Sequence, residues 1–335
     1  MIPKRSWLGV FFAVYIHLWR AHRKLANAQQ ELSYENLTEP LLDGQLQALD
    51  FVDRNGHPRR ISAVSTPPGW SGKSVVLIHD LKMRLETWSP VWELLREDGH
   101  QIIAADLPGH GGSNLTEGSL ELSSLAADIW HIMDHFGVSE GVLVGHGVGG
   151  FLALQYLVEY RKDATRRLPF GFVCVACTAG NLQQVIGREN SLFGRETLRH
   201  MATGFAALRL PELFAYFEFS GEASVSKRLG SKASYAEVRV VLEAKRRAHS
   251  DWALRNLSDM LWTLDLHPAI SALTLPSSVL LCGSDDRNPQ PLALRDAFVS
   301  SGTLHHFKML EDASAYSLPL AQAEEVTQAV RSALA

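Results

Sequence analysis

The stretch Gly141-Val-Leu-Val-Gly-His-Gly-Val-Gly-Gly150 decides the fold. Its first half is apolar and indicates a buried strand, and its second half is a cluster of glycines. The segment that follows begins Phe151-Leu-Ala-Leu and is typical of an amphipathic helix. The sequence therefore predicts a strand, a tight turn and a helix in direct succession, because glycines allow close backbone packing.

The glycine turn fits the frame Gly-x-Ser-x-Gly, in which a strained strand-to-helix turn presents a nucleophilic serine. Here the frame is Gly145-His146-Gly147-Val148-Gly149, so Gly147 stands where the serine would be. Glycine carries no attacking atom. We therefore expect the turn without its nucleophile, and open space beside Gly147 where backbone N–H groups of the helix N-terminus can hold an anion or a carbonyl group.

Length and composition exclude several classes of protein. With 335 residues and 46% hydrophobic composition, the chain can bury one large core, or one core and a lid. A net charge of −4 argues against nucleic acid as a partner, because phosphate binding needs clustered Lys and Arg. The cysteines Cys174, Cys177 and Cys282 form no disulfide framework, which favours a cytoplasmic location. The first two lie in an apolar run and indicate strand packing.

Residues 1–30 differ from the rest of the chain in charge. They hold five basic residues and no acid, whereas the remainder holds 27 basic and 36 acidic residues. The apolar run Trp7 to Trp19 is roughly 20 Å long as a helix, short of the ~30 Å hydrocarbon core. We expect a helix lying in a membrane interface, which would make the protein peripherally membrane-associated. A helix packed on the protein or on a partner protein, and a signal or signal-anchor segment, are the alternatives.

From residue 45 onward, apolar strand patterns alternate with helical patterns. A hairpin is predicted over Gln45 to Ser65, because Asn55-Gly56 suits its turn. Strands alternating with helices through short loops indicate a mostly parallel sheet, whose sites lie beyond the carboxyl ends of the strands. The predicted strands after the hairpin are Val75–Ile78, Gln101–Ala105, the strand from Gly141, Phe170–Cys177, Ser278–Cys282 and Thr303–Leu310, and helices are predicted over Leu85–Arg96, from Leu122, after the glycine turn and from about Leu320.

The alternation divides the chain into a core and an insertion. Residues 45–181 and 268–335 are predicted to form the two parts of one α/β core. Residues 182–267 are helical in composition and rich in bulky apolar side chains, including Phe205, Phe217 and Trp252. Because this stretch interrupts the strands, we expect a helical lid over their ends, which favours a small apolar or amphipathic molecule as the ligand.

Four landmarks in this order resemble the α/β-hydrolase superfamily, in particular its lidded lipase, esterase and epoxide-hydrolase-like branch. They are the strand Val75–Ile78 with His79, the loop Asp106-Leu-Pro-Gly-His-Gly-Gly-Ser113, the glycine turn, and the turn Gly283-Ser-Asp-Asp286. The resemblance covers about residues 45 to 335. It implies a mostly parallel sheet flanked by helices with an inserted lid, and a catalytic nucleophile, acid and histidine.

The chain departs from that family at three catalytic positions. The family acid position fits Asp286, with Asp285 as the fallback, but the family histidine position falls on Tyr316 and no histidine follows His306. The glycine that normally follows the first histidine is replaced by Asp80, whose carboxylate would repel a developing oxyanion if it points inward. Ser-His-Asp acyl transfer is therefore not expected.

These departures favour a non-catalytic hydrolase-fold protein that binds a small apolar ligand or a partner in the old pocket. The candidate ligand-binding residues are His79, His146, Gly147 and Val148. For the two histidines, the alternative is that they brace the loops beneath the glycine turn.

Two enzymatic alternatives remain open. One is an acid-base enzyme, such as a lyase, isomerase, cyclase or cofactor-free oxygenase, with Asp80, Asp286 and Tyr316 as its catalytic groups. The other is a hydrolase with a displaced nucleophile at Cys177 or Ser314. No metal and no cofactor is expected, although the glycine turn also fits the weaker dinucleotide spacing Gly-x-Gly-x-x-Gly.

Overall fold

The computed structural model describes residues 44–53, 55–67, 72–115, 121–180, 256–257, 260–261, 263–283, 291–311 and 313–335, and position 241. The predicted N-terminal helix of residues 1–30 lies outside the described residues. So do most of the predicted lid and the turn that contains Asp286. Within the described ranges, no helix has both the length and the hydropathy that crossing a bilayer requires.

An eight-stranded sheet forms the centre of the molecule. Its strands are β1 (Gln45–Val52), β2 (Pro58–Ser65), β3 (Ser74–Ile78), β4 (Gln101–Ala105), β5 (Gly141–His146), β6 (Phe172–Val175), β7 (Ser277–Cys282) and β8 (Leu304–Leu310). They lie side by side in the order β1, β2, β4, β3, β5, β6, β7, β8. The pairs β1–β2 and β2–β4 are antiparallel, and every pair from β4 to β8 is parallel. The mostly parallel sheet is confirmed.

Helices cover both faces of this sheet. After a 3₁₀ turn at Leu85–Trp88, the described helices are α1 (Ser89–Arg96), α2 (Leu122–His135), α3 (Val148–Glu159), α4 (Arg161–Arg167), α5 (His267–Ile270), α6 (Pro291–Ser300), α7 (Leu318–Ala321) and α8 (Ala323–Leu334). One apolar cluster joins the sheet to α2, α3 and α6, and a second joins its other face to α1 and α8.

The central strands are mostly apolar because both of their faces are buried. In β3, Val76 and Ile78 belong to the first cluster, whereas Val75 and Leu77 belong to the second. Side chains alternate between the two faces of a strand, so a strand covered on both sides needs apolar residues at successive positions. This burial explains why the sequence predicted β3 and β4 as continuous apolar runs.

Two predicted elements differ from those observed. The helix predicted over Leu85–Arg96 begins as a 3₁₀ turn and becomes α-helical only at Ser89. The strand predicted over Phe170–Cys177 is shorter and runs from Phe172 to Val175. It ends there because the next residue, Ala176, adopts a φ of 47°. That conformation is left-handed and turns the chain out of the sheet.

Candidate functional site

The predicted glycine turn joins β5 to α3. Gly147 has a φ of 52°, in the left-handed region that favours glycine. Its neighbours are packed against backbone: a Cβ atom on Gly145 would lie 2.4 Å from the Cα atom of Gly150, and one on Gly149 would lie 2.4 Å from the carbonyl oxygen of Ile78. The glycines are therefore required by close contact between β5, α3 and the end of β3.

The carboxylate of Asp80 fills the space beside Gly147. A Cβ atom on Gly147 would lie 2.0 Å from Oδ1 and 2.2 Å from Cγ of Asp80. The side chain is fully buried, and its Oδ1 accepts a hydrogen bond of 2.8 Å from the backbone N–H of Val148. Asp80 thus points inward, and the open space expected beside Gly147 is occupied by the chain itself.

This contact caps the N-terminus of α3. No side chain at the cap position of the helix does so, because that position is Gly147. Asp80 reaches it from the loop after β3, and a carboxylate is favoured there because the first N–H groups of a helix carry partial positive charge. The N–H of Val148 is therefore engaged by an anion of the protein and is not open to an incoming oxyanion.

His79 is fully buried, and both of its ring nitrogens are engaged by backbone. Its Nε2 accepts a hydrogen bond of 2.9 Å from the N–H of Leu107, and its Nδ1 donates to the carbonyl oxygen of Asp80 over 2.7 Å. A neutral imidazole offers one donor and one acceptor, so these partners require the neutral ring with its proton on Nδ1. This geometry is that of a loop brace.

His110 repeats this arrangement in the loop after β4. Its Nε2 accepts from the N–H of Lys82 and its Nδ1 donates to the carbonyl oxygen of Pro108, both over 3.0 Å. Burial, followed by the neighbouring ring of His79, lowers the pKa of His110 to about 4. The sequence alone indicates His110 only as part of the loop Asp106 to Ser113. Its position after β4, next to the end of β3, is the signal that pairs it with His79.

Asp106 connects the segment after β3 to the loop after β4 through its side-chain oxygens. Its Oδ1 accepts from the N–H of Leu85 and its Oδ2 accepts from the N–H of Gly112, both over 2.9 Å. Burial tends to raise the pKa of this carboxyl, but the neighbouring His79 and the hydrogen bonds from the two amides lower it below its usual value. Asp106 is therefore an ionised structural anchor whose oxygens are already engaged.

His146 connects the end of β5 to the loop that contains Tyr316. It is fully buried, its Nε2 donates to the carbonyl oxygen of Ala315 over 2.6 Å, and its ring meets Trp88 edge-on with 6.2 Å between centroids. Tyr316 is half-buried, and its N–H donates to Oγ of Ser314 over 3.3 Å. The structure therefore brings Asp80, Gly147 and Val148 into direct contact and ties the Tyr316 loop to them through His146.

The cysteines are buried and free, as strand packing predicts. Cys177 lies beneath the glycine turn, where its Sγ donates to the carbonyl oxygen of Gly145 over 3.1 Å. Burial, followed by the neighbouring Cys174, raises the pKa of the Cys177 thiol well above its usual value. A protonated thiol is a weak nucleophile, so this geometry gives no support to a displaced nucleophile at Cys177. Within the described part of the chain, no group of three His, Cys, Asp or Glu residues is arranged to hold a metal ion.

Comparison with known proteins gives one family and several relatives. The family model described as alpha/beta hydrolase fold matches residues 68–259. An uncharacterized protein of Mycobacterium tuberculosis is 25% identical over 192 residues, which are 57% of this chain and 51% of that protein. The chain thus spans about half the length of the relatives of this kind that it matches.

Two solved structures have a similar fold. An esterase from Thermogutta terrifontis, with malate bound, has a TM-score of 0.64 at 22% identity, over 85% of this chain and 97% of the esterase. A bromoperoxidase from Bacillus anthracis has a TM-score of 0.65 at 16% identity, over 86% of this chain and 99% of the bromoperoxidase. At these identities the likeness shows the fold alone.

Proposed function

The chain belongs to the alpha/beta hydrolase fold family, and on that premise we propose that it is a non-hydrolytic member that binds a small apolar or amphipathic molecule. The ligand would occupy the pocket in which hydrolytic members of the family hold their substrates, beyond the carboxyl ends of the strands. One observation carries the proposal: the carboxylate of Asp80 lies beside Gly147 and accepts the N–H of Val148.

Acyl transfer needs an attacking atom and donors for the oxyanion that forms. Gly147 supplies no attacking atom, and the N–H of Val148 already binds a carboxylate. Loss of one oxyanion-hole donor costs about 2.7–4 kcal/mol in other enzymes. A substrate carbonyl brought to this point would also meet the negative charge of Asp80, which repels a developing oxyanion. Nucleophilic attack and stabilisation of the oxyanion are therefore both disfavoured at Gly147 and Val148.

The two buried histidines beside Asp80 are not available as a base for this reaction. Both ring nitrogens of His79 and both of His110 are engaged by backbone groups. The family histidine position is taken by Tyr316, and a phenol is a poor base at neutral pH. These contacts support a role for the site in binding rather than in turnover.

The first test is an assay for covalent and hydrolytic chemistry. The wild-type protein is incubated with p-nitrophenyl acetate and p-nitrophenyl butyrate, and separately with a fluorophosphonate probe followed by intact-mass measurement. We expect hydrolysis at the rate of buffer and no added mass. Ester hydrolysis that disappears in the Asp80→Asn variant, or an adduct on any side chain, would overturn the proposal.

The second test measures binding of an apolar probe. We expect octan-1-ol to raise the Tm of the wild-type protein, whereas sodium octanoate, which has the same number of carbons and a carboxylate, raises it less because Asp80 already contributes negative charge to the site. The Asp80→Asn variant is the matched control, since it keeps the shape and removes the charge. Equal stabilisation by the two probes in the wild type, or stabilisation by neither, contradicts the proposed site.

A further inference from the structure

Two histidine rings join the loop that carries Asp80 to the loop after β4. The N–H of Leu107 donates to Nε2 of His79, and the N–H of Lys82 donates to Nε2 of His110. The rings lie edge to face, with 5.4 Å between their centroids. Each of these inter-loop contacts needs an unprotonated ring nitrogen, because a backbone N–H can only donate.

We propose that His79 and His110 form an acid-sensitive latch in which His110 is the titrating ring: its protonation releases residues 80–84 from residues 106–110 and withdraws Asp80 from Val148, while the sheet stays folded. A protonated imidazole has two donors and no acceptor, so Nε2–H would then face a backbone N–H. The proposal goes beyond the proposed function, because the latch acts whether or not a ligand binds.

The backbone of the Asp80 loop supports this reading. Lys82, whose N–H is held by His110, has a φ of 64°, a conformation that a residue with a side chain rarely adopts. Such a residue persists where neighbouring contacts hold it, at a cost of about 1–3 kcal/mol. Loss of the contact with His110 removes one of the restraints on Lys82, so the loop has a conformational reason to move once the ring is protonated.

The charged groups around the two rings determine the pH at which the latch opens. His110 is surrounded by His79, Asp106 and Asp80. His79 has Oδ1 of Asp106 at 3.5 Å from its Nε2, with Glu86 also close enough to interact. The carboxylates of Asp106 and Asp80 favour protonation of His110, whereas burial and the neighbouring His79 oppose it. For His110 burial dominates and lowers its pKa to about 4, so the latch is closed at neutral pH and opens in acid.

Amide hydrogen exchange tests the latch on the whole protein. Exchange is followed between pH 7 and pH 4, corrected for the intrinsic pH dependence, at the amides of Lys82, Leu107 and Val148, with Val76 and Val144 as core references. As the pH falls from about 6.5 towards 4, we expect protection of the first three to fall about tenfold per pH unit while the core stays protected. Unchanged protection at Lys82 and Leu107, or simultaneous loss in the core, overturns the proposal.

Two substitutions at position 110 distinguish loss of the titrating group from loss of the hydrogen-bond acceptor. In His110→Gln the amide oxygen can accept from Lys82 but the side chain does not titrate, so the Lys82 amide should stay protected down to pH 4. In His110→Phe the acceptor is absent, so this amide should exchange at least about tenfold faster than wild type already at pH 7. The core amides report in the same experiment whether each variant is folded.

The double variant His79→Gln, His110→Gln removes both rings and keeps both acceptors. We expect it to abolish the pH-dependent exchange at all three amides. Persistence of the wild-type pH dependence in a folded double variant would show that other groups, such as Asp80 itself, release the loop, and would refute the latch.

Discussion

Asp80 and Gly147 should be energetically coupled, and the substitution Gly147→Ala measures the coupling. The new Cβ atom would lie 2.0 Å from Oδ1 of Asp80, closer than any ordinary contact, at a residue whose φ is 52°. A left-handed conformation costs alanine about 1–2 kcal/mol, and overpacking costs about 1–3 kcal/mol. Gly147→Ala should therefore lower the free energy of unfolding by about 2–5 kcal/mol.

The same substitution should be cheaper once the carboxylate is absent. Asp80→Gly alone removes a charged hydrogen bond to Val148, worth about 1.5–3 kcal/mol. In that background Gly147→Ala keeps only the backbone term of about 1–2 kcal/mol, because the space beside residue 147 is empty. The two substitutions should therefore be non-additive by about 1–3 kcal/mol, with the double variant more stable than the sum predicts.

Urea unfolding followed by circular dichroism on the four proteins measures this coupling. Asp80→Asn is the matched control: it keeps an atom near the position of Oδ1, so Gly147→Ala should remain as costly there as in the wild type. Additivity within about 0.5 kcal/mol between Asp80→Gly and Gly147→Ala would refute the placement of the carboxylate beside residue 147.

Three further predictions concern other buried groups. The pKa of His110 is about 4 in the folded protein and about 6.5 in an unfolded chain. The free energy of unfolding of the wild type should therefore fall by up to about 3 kcal/mol as the pH falls from about 6.5 towards 4. Urea unfolding at pH 7 and pH 4.5 should show this loss, and His110→Gln should lack it. Asp128→Ala removes the carboxylate that pairs with the buried guanidinium of Arg59. It should lower the free energy of unfolding by about 3–5 kcal/mol in the same assay. A decrease under about 1 kcal/mol would contradict a buried ion pair at this position. The Cys177 thiol is buried and its pKa is raised, so iodoacetamide should not modify it in the native protein at pH 8 but should do so in urea, as mass spectrometry of the Cys177 peptide would report.

Elements buried on both faces could be predicted closely from the sequence. The strand predicted at Gln101–Ala105 is β4 as observed. A short apolar run with a helical segment before it and another after it indicates a strand of a parallel sheet that is buried on both faces. The turn at Gly147 could be predicted for a related reason: clustered glycines mark close backbone approach. Both signals are local, so neither depends on which distant residues become neighbours.

The contacts that define the site are not local. Asp80 and Val148 are 68 positions apart, and each inter-loop bond made by His79 and His110 joins residues 28 positions apart. The resemblance predicts that Asp80 stands at a glycine position of the family, but the direction of its side chain depends on the packing of β3 against β5. The tautomers of the histidines depend on backbone groups of a second loop. Such facts follow from tertiary structure and not from a residue's neighbours in the chain.

The residues at positions 80 and 147 form one structural unit, because the side chain of Asp80 occupies the space beside Gly147. With the carboxylate of Asp80 on the N–H of Val148, only glycine leaves room at position 147. Conversely, a serine at 147 would occupy the volume that Asp80 now fills. It follows that Gly147→Ser alone cannot report on whether the frame remains competent for hydrolysis, because its failure would reflect collision with Asp80. A restored nucleophile becomes a fair test only together with Asp80→Gly, which returns both the space and the Val148 donor to an incoming substrate.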